Sequence, residues 1–135
     1  MTGRMHEAAR TGLCALALVA LAFSSTAQAA DAGNGKRVYQ KCVACHVADR
    51  ETNRFGPHLK GVVGRPAAQV PDYKYSQAMR DAAAAGLVWD DAALSAFLSS
   101  PKKKVPGTSM RFFGLWTQAE IDDVIAYLKT TAQEE

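Results

Sequence analysis

"CVACH", residues 42–46, is the stretch around which the rest of this chain has to be explained. It holds two of the three cysteines and one of the three histidines of the 135-residue sequence. Clusters of this kind serve as structural zinc sites, as redox dithiols, or as covalent anchors for a larger group. The choice among these depends on the cellular compartment and on which other ligands the chain supplies.

The N-terminus predicts export from the cytoplasm. Two arginines precede the apolar run "LCALALVALAF" at 13–23, and "AQA" follows at 27–29, which is the layout of a secretory signal peptide. The run has 11 residues, whereas a helix that spans a bilayer needs about 20. We therefore predict a signal peptide at 1–29, a mature domain at 30–135 in the periplasm, and no stable membrane anchor.

The mature domain is small and only mildly basic. Two basic residues, Arg4 and Arg10, and one acidic residue, Glu7, leave with the signal peptide, which takes the formal net charge from +3 to +2. This balance does not indicate nucleic-acid binding. A domain of this length has a limited apolar core and usually needs a covalent or metal staple. Cys14 lies in the signal peptide, so only the pair in "CVACH" remains to supply one.

The pair is best explained as a haem attachment site. A structural zinc ion needs about four ligands, but the mature chain adds only His46 and His58 to the two thiols. A redox Cys-x-x-Cys is expected near a βαβ pattern, which no stretch indicates. Cys-x-x-Cys-His is the pattern of covalent c-type haem, in which two thiols bind the vinyl groups and the adjacent imidazole binds iron. The sequence thus predicts one haem c on Cys42 and Cys45, with His46 as its proximal ligand.

Three side chains could bind the opposite face of the iron: His58, Met79 and Met110. Met110 follows a Pro-Gly turn in "VPGTSM" at 105–110, which would present its side chain from a tight loop. Met79 lies in a helical pattern, where an unbranched apolar residue is usually core filler. His58 follows a Gly-Pro pair and is expected to be a surface loop residue. These features favour Met110.

Hydrophobic periodicity predicts an all-α fold. Thr117 and Glu120 form a capping box, and the apolar residues that follow recur on one helical face. These apolar residues are Ile121, Val124, Ile125 and Leu128. Asp90 can cap a second helix that ends before Pro101, and a third helix leads through Tyr39 into the cysteine pair. No stretch shows sustained strand alternation.

Five ordered blocks resemble the class I c-type cytochromes of mitochondria and bacteria. They are "GKRVYQKCVACH" (35–46), "GPHLKGVVGR" (56–65), "YKYSQAM" (73–79), "LVWDDAALSAFLSSPKKKVPGTSM" (87–110) and "IDDVIAYLK" (121–129). The resemblance runs from about Gly33 to the C-terminus. It implies a small monohaem fold in which the first and last helices cross and pack around covalent haem, with Tyr39 against Tyr127 and Leu128.

The resemblance also implies roles for individual residues. Cys42 and Cys45 attach the haem, His46 and Met110 bind its iron, and the carbonyl of Pro57 steadies the proximal imidazole. The expected partners of the haem propionates are Arg65, Tyr75 and Trp89. The glycines expected in a loop that approaches the flat ring closely are Gly56, Gly61 and Gly64.

Three residues depart from the family pattern. Phe97 stands where many members have a tyrosine whose hydroxyl reaches the methionine sulfur, so that hydrogen bond should be missing. Met79 replaces a frequent asparagine, and Ser109 replaces a lysine beside the distal ligand. These changes bear on the potential and on the surface charge, not on iron coordination.

Two protein ligands on the iron leave no open position, which predicts electron transfer and not an enzyme. The favoured function is a monomeric carrier that moves one electron at a time between partners with acidic docking surfaces. Such partners include a membrane quinol-oxidising complex and a terminal oxidase or photosynthetic reaction centre. Two alternatives remain: a dedicated cytochrome subunit of a periplasmic dehydrogenase, and a haem peroxidase or gas-binding domain with a displaceable distal ligand.

Charge placement predicts how the carrier would dock. The basic residues expected around one exposed haem edge are Lys41, Lys102, Lys103, Lys104 and Arg111. The acidic residues gathered toward the chain's end are Asp122, Asp123, Glu134 and Glu135. This asymmetry would orient the haem edge toward an acidic partner and speed encounter.

Overall fold

The computed structural model describes residues 29–132. Five helices form within this range: α1 (Ala32–Tyr39), α2 (Gln77–Ala84), α3 (Asp91–Ser99), α4 (Pro101–Lys104) and α5 (Gln118–Thr130). The strand-like pairing found in the same range is an isolated bridge between Pro66 and Val88. The prediction of a small all-α fold is confirmed. Residues 1–28 of the expected signal peptide lie outside the described part, as do Glu134 and Glu135.

The described segment was also searched for membrane spans. Between Ala29 and Ala132, no helix combines the length and the apolar character that crossing a bilayer requires.

Side-chain caps define where the helices begin. The Asp90 carboxylate accepts a hydrogen bond from the Ala93 N–H at 2.7 Å at the start of α3, and the Thr117 hydroxyl accepts one from the Glu120 N–H at 3.2 Å at the start of α5. Both predicted caps are confirmed. Pro101 follows the end of α3 as expected, but it also begins α4, because its fixed φ and missing N–H suit the first position of a helix.

Helices α1 and α5 cross, and their backbones lie close together at Gly35 and Asp123. A Cβ atom at this position would lie 1.9 Å from the carbonyl oxygen of Asp123, so only glycine allows the two backbones to meet. Near the other end of α1, the rings of Tyr39 and Tyr127 have centroids 5.3 Å apart, and Leu128 is buried in the same core cluster. The expected crossing of the first and last helices is confirmed.

Asp123 ties these two helices together and is not a surface charge. The residue is 8% exposed, and its carboxylate accepts hydrogen bonds from the Asp31 N–H at 2.7 Å and from the Asn34 side-chain amide. These hydrogen bonds, first that of the Asp31 backbone, lower the pKa of the Asp123 carboxyl. Sequence grouped Asp123 with the acidic residues toward the chain's end, but its position facing the start of α1 could not be read from sequence.

The loop between α4 and α5 is fastened to the end of α3. The Leu115 N–H donates to the Leu98 carbonyl at 2.8 Å, and a Cβ on Gly114 would lie 2.0 Å from the Ser99 carbonyl oxygen. Gly114 also has φ of 117°, which side chains rarely tolerate. This attachment holds the segment that carries Met110 against the rest of the fold.

Candidate haem site

A cavity of about 490 Å³ brings the predicted site residues together. All seven predicted cofactor-binding residues line it: Cys42, Cys45, His46, Arg65, Tyr75, Trp89 and Met110. Most of the remaining wall is apolar and includes Met79 and Phe97. A volume of this size falls within the range of about 300–1,000 Å³ that is usual for ligand and cofactor pockets.

His46 is held in one orientation on the wall of this cavity. Its Nδ1 lies 2.7 Å from the Pro57 carbonyl oxygen, so Nδ1–H donates and Nε2 is left for a metal ion. A Cβ atom on Gly56 would lie 2.3 Å from Cε1 of the imidazole, so the missing side chain makes room for the ring. Burial lowers the pKa of His46, against the opposing effect of the hydrogen bond to Pro57. The imidazole is therefore neutral near pH 7, which is the form that binds metals.

The hydroxyl of Tyr39 adds a second support that sequence reasoning missed. It donates to the His46 carbonyl oxygen at 2.8 Å, at the point where α1 leads into the cysteine pair. Sequence reasoning placed Tyr39 only in the contact between helices. A tyrosine seven residues before the histidine was the available signal, but its direction depends on the turn between them.

One helical turn joins the two thiols to the imidazole. The N–H groups of Cys45 and His46 donate to the Cys42 carbonyl at 3.0 and 2.9 Å. Burial first, and then the neighbouring Cys45, raises the pKa of the Cys42 thiol to about 11. Since the thiolate is the reactive species in dithiol exchange, this environment does not favour a redox dithiol. Residues 29–132 contain no group of three or more His, Cys, Asp or Glu side chains that could share a metal ion.

Met110 is presented from a tight loop, as its sequence context predicted. Gly107 has φ of 87°, the Thr108 N–H donates to the Val105 carbonyl at 3.0 Å, and the Met110 N–H donates to the Thr108 hydroxyl at 3.3 Å. The half-buried methionine side chain lines the cavity from this loop. Met79 lines the cavity too, but from α2, where it is 8% exposed within the apolar core.

His58 is buried, so the expectation of a surface loop residue was wrong. The residue is 7% exposed, its backbone N–H donates to the Asn53 side-chain oxygen at 3.0 Å, and it does not line the cavity. The loop after the Gly-Pro pair folds inward because Arg65 holds it from the other side. The Arg65 guanidinium donates to the carbonyls of His58 and Lys60, both at 3.0 Å.

Arg65 and Tyr75 supply polar groups to a wall that is otherwise apolar. Burial lowers the pKa of Arg65, whose side chain is held by the two carbonyls just described. The Tyr75 hydroxyl accepts a hydrogen bond from the Val70 N–H at 3.3 Å, and burial raises its pKa. A half-buried guanidinium with donors to spare is an environment that suits an anionic group.

Trp89 and Phe97 form the aromatic part of the same wall. Their ring centroids are 4.9 Å apart, and the two residues are 8% and 7% exposed. The loop at 56–65 lines the cavity through Gly56 and Arg65 among others, whereas Gly61 and Gly64 are not lining residues. They adopt φ of 64° and 86° in the loop behind it.

The fold and the site define a small helical protein that holds one prosthetic group through a Cys-x-x-Cys-His motif. A family model described as cytochrome c matches residues 32–132, and the chain belongs to this family. It is 44% identical over 99 residues to a cytochrome c2 of Agrobacterium tumefaciens, a match that spans 73% of this chain and 89% of that one. It is 47% identical over 97 residues to a cytochrome c2 of Afifella marina, spanning 71% and 78%.

Two further matches extend the comparison. The solved structure of cytochrome cH from Methylobacterium extorquens has a TM-score of 0.69 and 46% identity, covering 74% of this chain and 98% of that one. A cytochrome c homolog of Rickettsia felis is 47% identical over 102 residues, but this chain spans only 57% of its length. Proteins of the cytochrome c family carry electrons and are not enzymes, and haem c is the cofactor of this chain.

The residues present fit this cofactor. Two thiols and an imidazole stand on one side of a cavity of suitable volume, and a thioether reaches it from the loop at 105–110. The remaining wall is mainly apolar, with polar groups from Arg65 and Tyr75. This is the distribution that a flat apolar ring with anionic substituents requires.

Proposed function

We propose that this chain is a periplasmic one-electron carrier in which Cys42 and Cys45 hold haem c, and His46 and Met110 bind its iron. The observation that carries the proposal is the convergence of these four side chains on one apolar cavity, with His46 Nδ1 bonded to the Pro57 carbonyl. Haem c supplies an iron that takes up and releases one electron. The chain's own residues determine how easily it does so.

With His46 and Met110 both binding the iron, no coordination position would be left for oxygen, peroxide or a substrate. The Pro57 carbonyl fixes the imidazole, and the loop hydrogen bonds around Thr108 fix the thioether. A soft thioether and an apolar wall both disfavour the more highly charged ferric state. They would therefore raise the reduction potential of the haem iron. Firmly held ligands also limit the rearrangement that each electron transfer requires.

Arg65, Tyr75 and Trp89 are the proposed partners of the haem propionates. Arg65 has five N–H donors, of which one on each terminal nitrogen is bonded to a carbonyl oxygen. A carboxylate beside this half-buried guanidinium would receive charge-assisted hydrogen bonds. The Tyr75 hydroxyl accepts from Val70 and retains its own proton to donate.

The proposal includes a compartment and a class of partner. Residues 1–29 would be removed as a signal peptide, and the domain at 30–135 would act as a monomer in the periplasm. Its partners would present acidic docking surfaces, as a membrane quinol-oxidising complex and a terminal oxidase or reaction centre could do. The similarity to two proteins named cytochrome c2 supports this class of partner.

The test is to export the full chain in a host that attaches c-type haem and to study the purified product. Mass spectrometry should show one covalent haem and an N-terminus at Ala30. The reduced protein should be reoxidised by a terminal oxidase and should not bind carbon monoxide readily. Ready binding of carbon monoxide would support the gas-binding alternative, and a dehydrogenase complex that survives high salt would support the dedicated subunit.

A further inference from the structure

Two large aromatic side chains stand almost fully in water near the end of the loop that carries Met110. Phe113 is 94% exposed and Trp116 is 95% exposed. Exposed aliphatic residues are common on protein surfaces, but tryptophan and phenylalanine held clear of the core are typical of contact sites between proteins. We refer to Phe113 and Trp116 as the aromatic pair.

The phenylalanine side of the aromatic pair adjoins a run of lysines. The residues next in sequence, Gly114 and Leu115, lie against the carbonyls at the end of α3, with the Leu115 N–H bonded to Leu98 at 2.8 Å. Helix α3 ends at Ser99 and α4 begins two residues later with Pro101. The residue after Phe113 therefore lies at the end of α3, two residues before α4, whose three lysines at 102–104 are all exposed.

The tryptophan side adjoins the cysteine pair. Lys41, which immediately precedes Cys42, places its Nζ 2.6 Å from the Glu120 carboxylate. Trp116 directly precedes Thr117, whose hydroxyl donates to the Glu120 carboxylate at 3.4 Å. The backbone of Trp116 therefore lies close to the ion pair of Lys41 and Glu120, and Lys41 is next in sequence to the cavity-lining Cys42.

The segment from Met110 to Trp116 therefore leads from the cavity wall to the exposed surface beside it. Met110 and Arg111 line the cavity, Arg111 is exposed, and the aromatic pair follows within five residues. A partner that approaches this side meets positive charge from Arg111 and two exposed aromatic side chains, and the lysines of α4 begin just after the end of α3 to which this loop is bonded. The complementary surface is an apolar recess surrounded by carboxylates.

We propose that the aromatic pair is the apolar contact through which this carrier docks on an acidic electron-transfer protein, an inference that rests on the proposed function. Charge accelerates encounter over long distances and is screened by salt, whereas aromatic burial acts only at contact and survives salt. The aromatic pair would hold the haem side against the partner after charge has brought the two together. Because both side chains are already in water, removing them costs the fold almost nothing.

The test compares wild type with the Phe113→Ala/Trp116→Ala variant, using a purified quinol-oxidising cytochrome bc-type complex as the electron donor. The bimolecular rate constant is measured by stopped flow from low ionic strength up to about 1 M, where the Debye length is about 3 Å. At the highest ionic strength, the variant should react about tenfold more slowly, which corresponds to a loss of about 1.4 kcal/mol of contact free energy. Its dependence on ionic strength should match wild type.

Two controls separate an effect on docking from a general effect on the protein or on its haem. Val88→Ala truncates another exposed apolar residue, at the bridge to Pro66, and should leave the rate at high ionic strength unchanged. Hexaammineruthenium exchanges electrons without a docking surface, so the double variant and wild type should reduce and oxidise it equally.

Equal rates for the double variant and wild type at high ionic strength would overturn the inference, as would an altered rate with hexaammineruthenium. If wild type forms a dimer that the substitutions dissociate, the aromatic pair is a dimer contact and the inference is overturned. If wild type binds anionic phospholipid vesicles and the substitutions abolish this binding, the aromatic pair is a membrane contact and the inference is overturned as well. If wild type accepts no electrons from the complex at any ionic strength, the proposed function fails and the inference fails with it.

Discussion

The orientation of His46 is set by groups that would never touch the iron. The Pro57 carbonyl fixes which nitrogen carries the proton, the Tyr39 hydroxyl holds the backbone, and Gly56 leaves space for the ring. Two of these three supports are a glycine and a backbone carbonyl, which contribute no side-chain function. The proximal side of the site therefore depends on how closely the loop at 56–57 approaches the imidazole.

Substitution of Gly56 by alanine should disturb the ligand as well as the fold. The added Cβ would lie 2.3 Å from Cε1 of His46, so the ring or the loop must shift. Overpacking of this kind costs about 1–3 kcal/mol. For a domain of about 100 residues, each kcal/mol lowers Tm by about 4–8 °C. Thermal unfolding and the visible haem spectrum of the purified variant measure the two effects.

Gly35→Ala is the matched comparison for this substitution. It creates a similar clash, 1.9 Å from the Asp123 carbonyl oxygen, but at the crossing of α1 and α5 and away from the imidazole. It should lower Tm and leave the haem spectrum unchanged. A Gly56→Ala spectrum identical to that of wild type would contradict the role given to Gly56.

The two methionines at the cavity can be separated by spectroscopy. With Met110 on the iron, the ferric protein should show the weak near-infrared band of sulfur coordination. Met110→Ala should lose this band and bind added ligands such as azide. Met79→Leu preserves the volume of a core side chain on α2 and should retain the band. The opposite result would transfer the ligand role to Met79.

At the scale of helices, the caps were predicted from sequence, whereas the burial of two polar residues was not. Asp90 and Thr117 were predictable as caps because a cap involves only neighbours in sequence. The burial of Asp123 was not predictable, because it depends on residues at the start of α1 that are distant in the chain. The burial of His58 depends on how its own loop turns between Asn53 and Arg65, which residue types alone do not fix. The motif at 42–46 identified the site itself, since attachment chemistry requires fixed spacing.

The tie between α1 and α5 should give stability that depends on pH. The pKa of Asp123 is lowered in the folded protein, so its contribution is present above the unfolded value of about 3.9 and is lost as pH falls through the folded value. Asp123→Asn should therefore unfold at a lower temperature than wild type at pH 7, and the difference should narrow below about pH 4.

Asp122→Asn is the control, because Asp122 is exposed. The hydrogen bond described for its carboxylate comes from the Gln118 side chain, which lies in the same helix. Its thermal unfolding should follow wild type across the same pH range. If Asp123→Asn and Asp122→Asn behaved alike at pH 7, the hydrogen bonds to Asp31 and Asn34 would contribute nothing to the crossing.

At the scale of the whole molecule, the sequence located the basic residues but did not show which of them form ion pairs. Lys41 is bonded to Glu120, whereas Arg111, which lines the cavity, and the three lysines of α4 are exposed and form no ion pair among those described between Ala29 and Ala132. The exposure of Phe113 and Trp116 could not be predicted, since apolar residues are assigned to the core by default. Their position depends on the attachment of the loop to α3.

Long-range charge should govern how fast this carrier meets its partner. Lys102→Glu/Lys103→Glu reverses two exposed charges on α4 without touching a cavity-lining residue. At low ionic strength, the bimolecular rate with the quinol-oxidising complex should fall about tenfold or more, and it should approach wild type as salt screens the field. Lys129→Glu reverses a charge on α5 that is paired with Asp91 at 2.6 Å, and should have a smaller effect. A wild-type rate that is indifferent to salt would exclude electrostatic steering and favour a permanently bound subunit, because only a mobile carrier must find its partner anew in every cycle.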